Sequence, residues 1–144
     1  MRWILRSSTK GFSLIELMIV VSILIIIAAV VVPTGFAALE RSRAARVILD
    51  VRTVNAAVLD YYGSKGKWPQ DQQGAAGDLT AENEGSDGPY MQKWPSGPWA
   101  DSEFHWKASD HTITVTNMPE AARSKVIADF GGKQAGSDYE YIVK

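Results

Sequence analysis

One carboxylate stands where a carboxylate is costly. From Phe12 to Val32 the chain runs for 21 residues with only Ser13, Glu16 and Ser22 polar. An ionisable group in a lipid-like stretch is expensive and usually has a task. Glu16 therefore either pairs with a positive group or reaches back to the headgroups from near the helix end. Other candidate chemistry is sparse. His105 and His111 lie six apart with no carboxylate or cysteine at ligand spacing, so they read as strand residues and not metal ligands. There is no cysteine, which removes a thiol nucleophile, a thiolate metal site and a disulfide framework. No nucleophile elbow, phosphate loop or dinucleotide fingerprint occurs, so no catalytic residue is assigned. Trp68, Trp94, Trp99 and Trp106 could form a stacking platform for a sugar or a base. Without a basic patch they read as packing residues.

The element that positions Glu16 is the apolar run itself. As a helix it is roughly 30 Å long, the thickness of a bilayer core. Before it come Arg2, Arg6 and Lys10 and no acid, as in a secretory signal peptide. Small residues late in the run and after it, Ala28-Ala29 and Ala37-Ala38, leave ordinary signal cleavage open on pattern alone. Against it, the run exceeds a typical signal core and continues into more helical sequence. Arg41, Arg43, Arg46 and Arg52 follow the span, so charge counting leaves its orientation open.

Pro33 and Gly35 predict a kink or loosening just beyond the span. Helical pattern then resumes. Phe36, Leu39, Val47, Val51, Val54, Val58 and Tyr62 form one stripe, with charges mostly off it. Phe12 to Tyr62 thus reads as one helix broken or bent at Pro33 and ended by Gly63 and Gly66. Residues 64–102 are rich in Gly, Asp, Gln, Ser and Pro and read as a long loop pinned by aromatics. Phe104-His105-Trp106 and Thr112 to Thr116 alternate as a hairpin. Asn117 reads as an N-cap with Pro119 in the first turn, which predicts a helix from Pro119 to Phe130. Tyr139 to Val143 predicts a last strand. The fold class is α+β, a long N-terminal helix on a small antiparallel sheet of about three strands.

The net charge is −1 for 144 residues. Without residues 1–11 the balance is 12 basic to 16 acidic residues. That is no nucleic-acid footprint.

The run Gly11-Phe12-Ser13-Leu14-Ile15-Glu16-Leu17 resembles the amino-terminal signature of type IV pilins and of type II secretion pseudopilins. In that family a basic leader ends in Gly, Phe follows, and a Glu lies fifth after the cut. Pro33 also matches a proline that many members carry. Gly66-Lys67-Trp68-Pro69 and the run Gly88 to Trp99, with its Pro95-Ser96-Gly97-Pro98-Trp99, look like the loop of the major pseudopilin, although the first pair there is Tyr-Pro.

The resemblance implies a set of expectations. A prepilin peptidase would cut between Gly11 and Phe12 on the cytoplasmic side and methylate the new amine of Phe12. The domains would be a leader (1–11), a membrane and filament-core helix (12–33) and a globular domain (34–144). That domain divides into the amphipathic half-helix (34–63), the loop (64–102) and the strands with a short helix (103–144). Glu16 would pair with the Phe12 amine of a neighbouring subunit and set the assembly register. Partners would be further pilin-like subunits, the peptidase, membrane lipid, and an inner-membrane assembly platform with its cytoplasmic ATPase. The subunit would cross the inner membrane once, with its domain periplasmic. No cofactor is expected. Major pseudopilins often hold calcium, but Asp129, Asp138 and Glu140 are too few and too poorly spaced to assign a site. The implied function is structural, a pseudopilin first and a pilus pilin second. A single-span protein with an adhesive or DNA-capturing domain is the reading from another class.

Overall fold

The computed structural model describes residues 11–74, 77–80 and 89–143. Leader residues 1–10 and Gly88 of the loop motif lie outside the described residues. The elements are α1 (Leu14–Lys65), β1 (Gln72–Gln73), β2 (Phe104–Lys107), β3 (Thr112–Val115), α2 (Glu120–Phe130), β4 (Lys133–Ala135) and β5 (Asp138–Ile142). They fall into two compact units that divide between Ala38 and Leu39.

In the first unit every described residue from Gly11 to Ala38 is exposed. A helix is what such a sequence can form in apolar surroundings, because it satisfies its own backbone. The polar side chains are also satisfied within the helix. Ser22 Oγ donates to the Met18 carbonyl at 2.7 Å. Thr34 Oγ1 lies 2.9 Å from the Val31 carbonyl and 3.2 Å from that of Val30. Pro33 sits inside α1, so the helix does not break there. Pro33 brings no N–H to the carbonyl of Ala29, and the single Thr34 hydroxyl proton is shared between the next two carbonyls. A side chain at Gly35 would meet nothing, so packing within this chain does not require its smallness.

In the second unit α1 buries Ala44, Val47, Val51, Val54, Ala57, Val58 and Tyr61. Their spacing of three and four residues puts them on one face. Burying each valine contributes roughly 1.5 kcal/mol or more. This stripe differs from the expected one at both ends. Phe36, Leu39 and Tyr62 are exposed, and Tyr61 takes the inward place. Tyr62 instead stacks on Trp68, ring centres 4.4 Å apart. Gly63 remains helical, and the helix ends only at Lys65. Gly66 then takes φ 66° and its N–H donates to the Tyr62 carbonyl at 2.9 Å.

The sheet has five strands in the order β1-β2-β3-β5-β4, all antiparallel. Two short edge strands thus join the three expected. Cross-strand pairs Phe104–Val115 and Trp106–Ile113 continue into Val115–Tyr139 and Ile113–Tyr141. This puts the large apolar residues on one face, where they join the α1 stripe in the core. The opposite face carries Gln73, His105, Thr114, Glu140 and Lys133 in one row across all five strands.

The long connection is held by indole N–H donors. Trp106 Nε1 donates to the Pro69 carbonyl at 3.2 Å, and Trp94 Nε1 to the Phe104 carbonyl at 3.1 Å. Trp99 Nε1 reaches back to Glu40 Oε2 on α1 at 2.9 Å. Single-residue pairings, Thr80 with Met91 and Ser96 with Glu103, add further ties. A Cβ at Gly97 would overlap Ser102 Oγ and its backbone carbonyl, so glycine there is a matter of space.

Helix α2 begins one residue later than expected and is not capped by Asn117. The N-cap position is Pro119, with no side-chain cap. Asn117 has φ 51°. Its N–H donates to Asp138 Oδ1 at 3.2 Å and its Nδ2 to the Asp101 carbonyl at 2.9 Å. It tethers loops instead of starting the helix. Buried Arg123 joins the start of α2 to the β4–β5 turn, donating to the carbonyls of Met118 (3.0 Å) and Ser137 (2.7 Å).

Tyr139 is fully buried and its hydroxyl donates to the Gly131 carbonyl at 2.7 Å. Burial raises its pKa, with a smaller push from Tyr141. A raised tyrosine stabilises the fold below its ordinary titration near pH 10, and that stability is lost as pH rises further. Unfolding followed from pH 8 upward should therefore show a decline beginning above about pH 10. Tyr139→Phe should flatten that decline while costing about 1 kcal/mol at neutral pH. An unchanged alkaline profile in the variant would contradict the assignment.

Candidate functional site

The residues singled out at the amino end are Gly11, Phe12 and Glu16, followed by Pro33 and Gly35 on the same helix. Phe12 is 83% exposed, and a side chain at Gly11 would meet nothing. The Gly11–Phe12 peptide bond thus lies in an open segment before the first helical residue, Leu14. In the uncut chain the Phe12 nitrogen is an amide and carries no charge.

Glu16 is not without a partner. Its Oε2 accepts the backbone N–H of Ser13 at 2.9 Å. The Ser13 carbonyl accepts the Leu17 N–H at 3.2 Å, which places Ser13 at the N-cap and Glu16 at the third helical position. A glutamate that reaches back to the N-cap amide is one half of a capping box. It also puts negative charge at the positive end of the helix dipole. Ser13 is the residue that sequence reasoning missed. The Ser-x-x-Glu spacing was available as a signal, but the apolar run drew the reading toward the membrane and away from the helix start. Glu16 Oε1 has no partner among the described residues. The carboxylate therefore has one oxygen engaged locally and one open to a second group.

Of the other candidates, Trp68, Trp106 and His111 are brought together as packed rings, and the two histidines make separate contacts. His105 Nε2 lies 3.6 Å from Glu103 Oε2, which also accepts Gln73 Nε2 at 2.9 Å. His111 is packed against Trp68, ring centres 4.2 Å apart. Trp68 lies between Tyr62 and His111, so its rings serve packing and not an open platform. Asp129 pairs with Lys125 at 2.7 Å and Glu140 with Lys133 at 3.0 Å. Asp138 accepts from the Asn117 amide and from Ser137 Oγ. Among the described residues no group of three or more acidic or imidazole side chains is placed to hold a metal.

Residues 6–32 match the prokaryotic N-terminal methylation motif. Residues 38–117, more than half of the chain, match the family described as PilW, C-terminal. The chain belongs to the type IV pilin-like family. Among its relatives is the type IV major pilin protein PilE1 of Neisseria gonorrhoeae, 42% identical over 66 residues. That stretch is 46% of this chain and 40% of the relative, so the chain spans less than half of that protein. The fimbrial protein of Neisseria meningitidis serogroup A is 37% identical over 89% of this chain and 69% of its own length. The type II secretion system core protein G of Pseudomonas aeruginosa is 34% identical over 65% of this chain and 70% of its own. No solved structure matches. The methylation motif and α1, which has the length and apolarity to cross a membrane, are the features of a membrane-anchored pilin-like subunit.

The Ser13–Glu16 bond can be checked without reference to assembly. In detergent micelles, Glu16→Ala should expose the Ser13 amide to faster hydrogen exchange, whereas Glu16→Gln should retain much of its protection. Equal exchange in both variants would argue against the cap.

Proposed function

We propose that this chain is a structural subunit of a type IV pilus-like filament, processed by a prepilin peptidase and polymerised from the inner membrane. The observation that carries the reading is Glu16 at the head of an apolar helix, with one oxygen on its own Ser13 amide and one open. Cleavage at Gly11–Phe12 converts the Phe12 amide into a charged amine. That amine, on a neighbouring subunit, is the partner the second oxygen lacks. A pair of this kind forms only in one register, which is the best attested use of a buried ionic group. Before assembly the local cap lowers the cost of holding the carboxylate beside lipid.

The leader is then cytoplasmic and the domain from Leu39 onward periplasmic. Assembly partners are other pilin-like subunits, with an inner-membrane platform and its cytoplasmic ATPase as the driving machinery. The role is structural and not enzymatic. Within the family the first reading is a pseudopilin of type II secretion. The Pro95-Ser96-Gly97-Pro98-Trp99 turn leading into β2, and the likeness to core protein G over most of that protein, support it. The second reading is a pilus pilin in adhesion, motility or DNA uptake. It is favoured by the alignment of the meningococcal fimbrial protein over 89% of the chain.

Mass spectrometry of the mature protein should find Phe12 as the first residue, carrying one methyl group. An intact leader, or a terminus after Ala29 or Ala38, would overturn the reading. Glu16→Lys should insert in the membrane as well as the parent yet give no filaments; normal filaments would refute the register pair. Deletion should abolish protein secretion if the first branch holds, and surface fibres or twitching if the second does.

A further inference from the structure

Basic residues cluster where the chain leaves its apolar stretch. Outside residues 1–11 acids outnumber bases, 16 to 12, yet Arg41, Arg43 and Arg46 fall within six residues that contain no acid. The apolar helix sets their depth. Glu16 and Glu40 are the charged residues that flank Leu17–Leu39, which is 23 residues without a charge. As a helix that stretch is about 34 Å long. The hydrocarbon core of a bilayer is about 30 Å thick, and the headgroup layers bring the whole to about 40–45 Å. A helix with Glu16 at one boundary of the core therefore brings Glu40 and Arg41 into the headgroup layer at the other.

The second unit adds to this cluster from its long loop. The Trp99 indole donates to Glu40 Oε2 at 2.9 Å, and Arg46 Nη2 reaches the Ser96 carbonyl at 3.5 Å. These contacts lay residues 96–99 along the first turns of α1 in this unit. Lys93 and Arg46 line one cleft of about 200 Å³. Trp99 is half-buried, and tryptophan is favoured at headgroup level, where its ring has both an apolar body and a polar edge. Arg43 and Arg46 each face one acid, Glu40 at 2.8 Å and Asp50 at 3.5 Å. Arg41 and Lys93 are exposed and have no ion-pair or hydrogen-bond partner among the described residues. We propose that Arg41, Arg46 and Lys93, with Trp99 beside them, bind the phosphates of anionic lipid headgroups in the leaflet on the domain's side of the membrane. Basic residues beside a span are drawn to such lipids. The proposal rests on the membrane-anchored reading and is independent of filament assembly. It concerns the subunit before it leaves the bilayer, since extraction gives up the contact.

The cysteine-free sequence allows a single reporter. Ser42→Cys in the full chain carries a fluorophore between Arg41 and Arg43, and the protein is reconstituted in phosphatidylcholine vesicles. Phosphatidylglycerol with a nitroxide near the headgroup end of its acyl chain should quench the dye at a mole fraction about fivefold lower than equally labelled phosphatidylcholine. High salt should erase that preference in the parent chain. Arg41→Gln with Lys93→Gln should also erase it, whereas Arg41→Lys with Lys93→Arg should keep it. Equal quenching by the two lipids in an inserted parent chain, or a preference that neither salt nor the Gln pair reduces, overturns the contact and leaves the filament reading standing. Displacement of the lipid by inorganic phosphate, and not by chloride of the same ionic strength, would overturn the lipid in favour of free phosphate. If the parent does not insert in vesicles at all, the membrane-anchored reading fails and the contact with it.

Discussion

Apolar helix surface has to be covered, and α1 meets that demand differently along its length. Up to Ala38 it is apolar nearly all round and nothing among the described residues covers it. From Ala44 onward only one stripe is apolar, and the sheet covers it. The rest of the molecule follows from this change of pattern. The sheet exists to close over Val47, Val51, Val54 and Val58, and the long loop closes the ends of that contact. The first half is left for lipid, or for other helices of the same kind.

Polar groups in the uncovered half are handled within each turn. Ser22 and Thr34 return their hydroxyls to carbonyls three or four residues back, and Glu16 returns one oxygen to the Ser13 amide. Such a helix carries its own hydrogen bonds and needs no water. The exception is the second oxygen of Glu16. In a stretch otherwise self-satisfied, that atom is the one the proposed register pair would use. Association between such helices has little hydrophobic drive in lipid, so packing and polar pairs decide it.

Much of this was legible in the residues. The apolar run, the stripe behind it, the β2–β3 hairpin, α2 and β5 all have local patterns strong enough to read. The edge strands were not. Gln72-Gln73 and Lys133-Gln134-Ala135 contain no β-branched or aromatic residue, and their extended form comes from the strands they pair with. The exchange of Tyr62 for Tyr61 has a similar cause, since a stripe read over several turns drifts in phase before the sheet fixes it. Asn117 has the chemistry of an N-cap, but Asp138 and the Asp101 carbonyl hold it first. For the candidate site, Gly11, Phe12 and Glu16 were visible as types and spacing. The bond between Ser13 and Glu16 required seeing that the helix starts there.

The domain closes its loops with tryptophan and tyrosine donors: Trp94 to Phe104, Trp99 to Glu40, Trp106 to Pro69 and Tyr139 to Gly131. Small secreted domains often close their loops through sulfur instead. These clasps form by collapse alone and need neither oxidant nor isomerase. The folding of this domain is thereby uncoupled from redox state. It can mature at the same rate whatever the thiol balance around it, and a reducing agent that opens a disulfide-closed domain leaves this one shut.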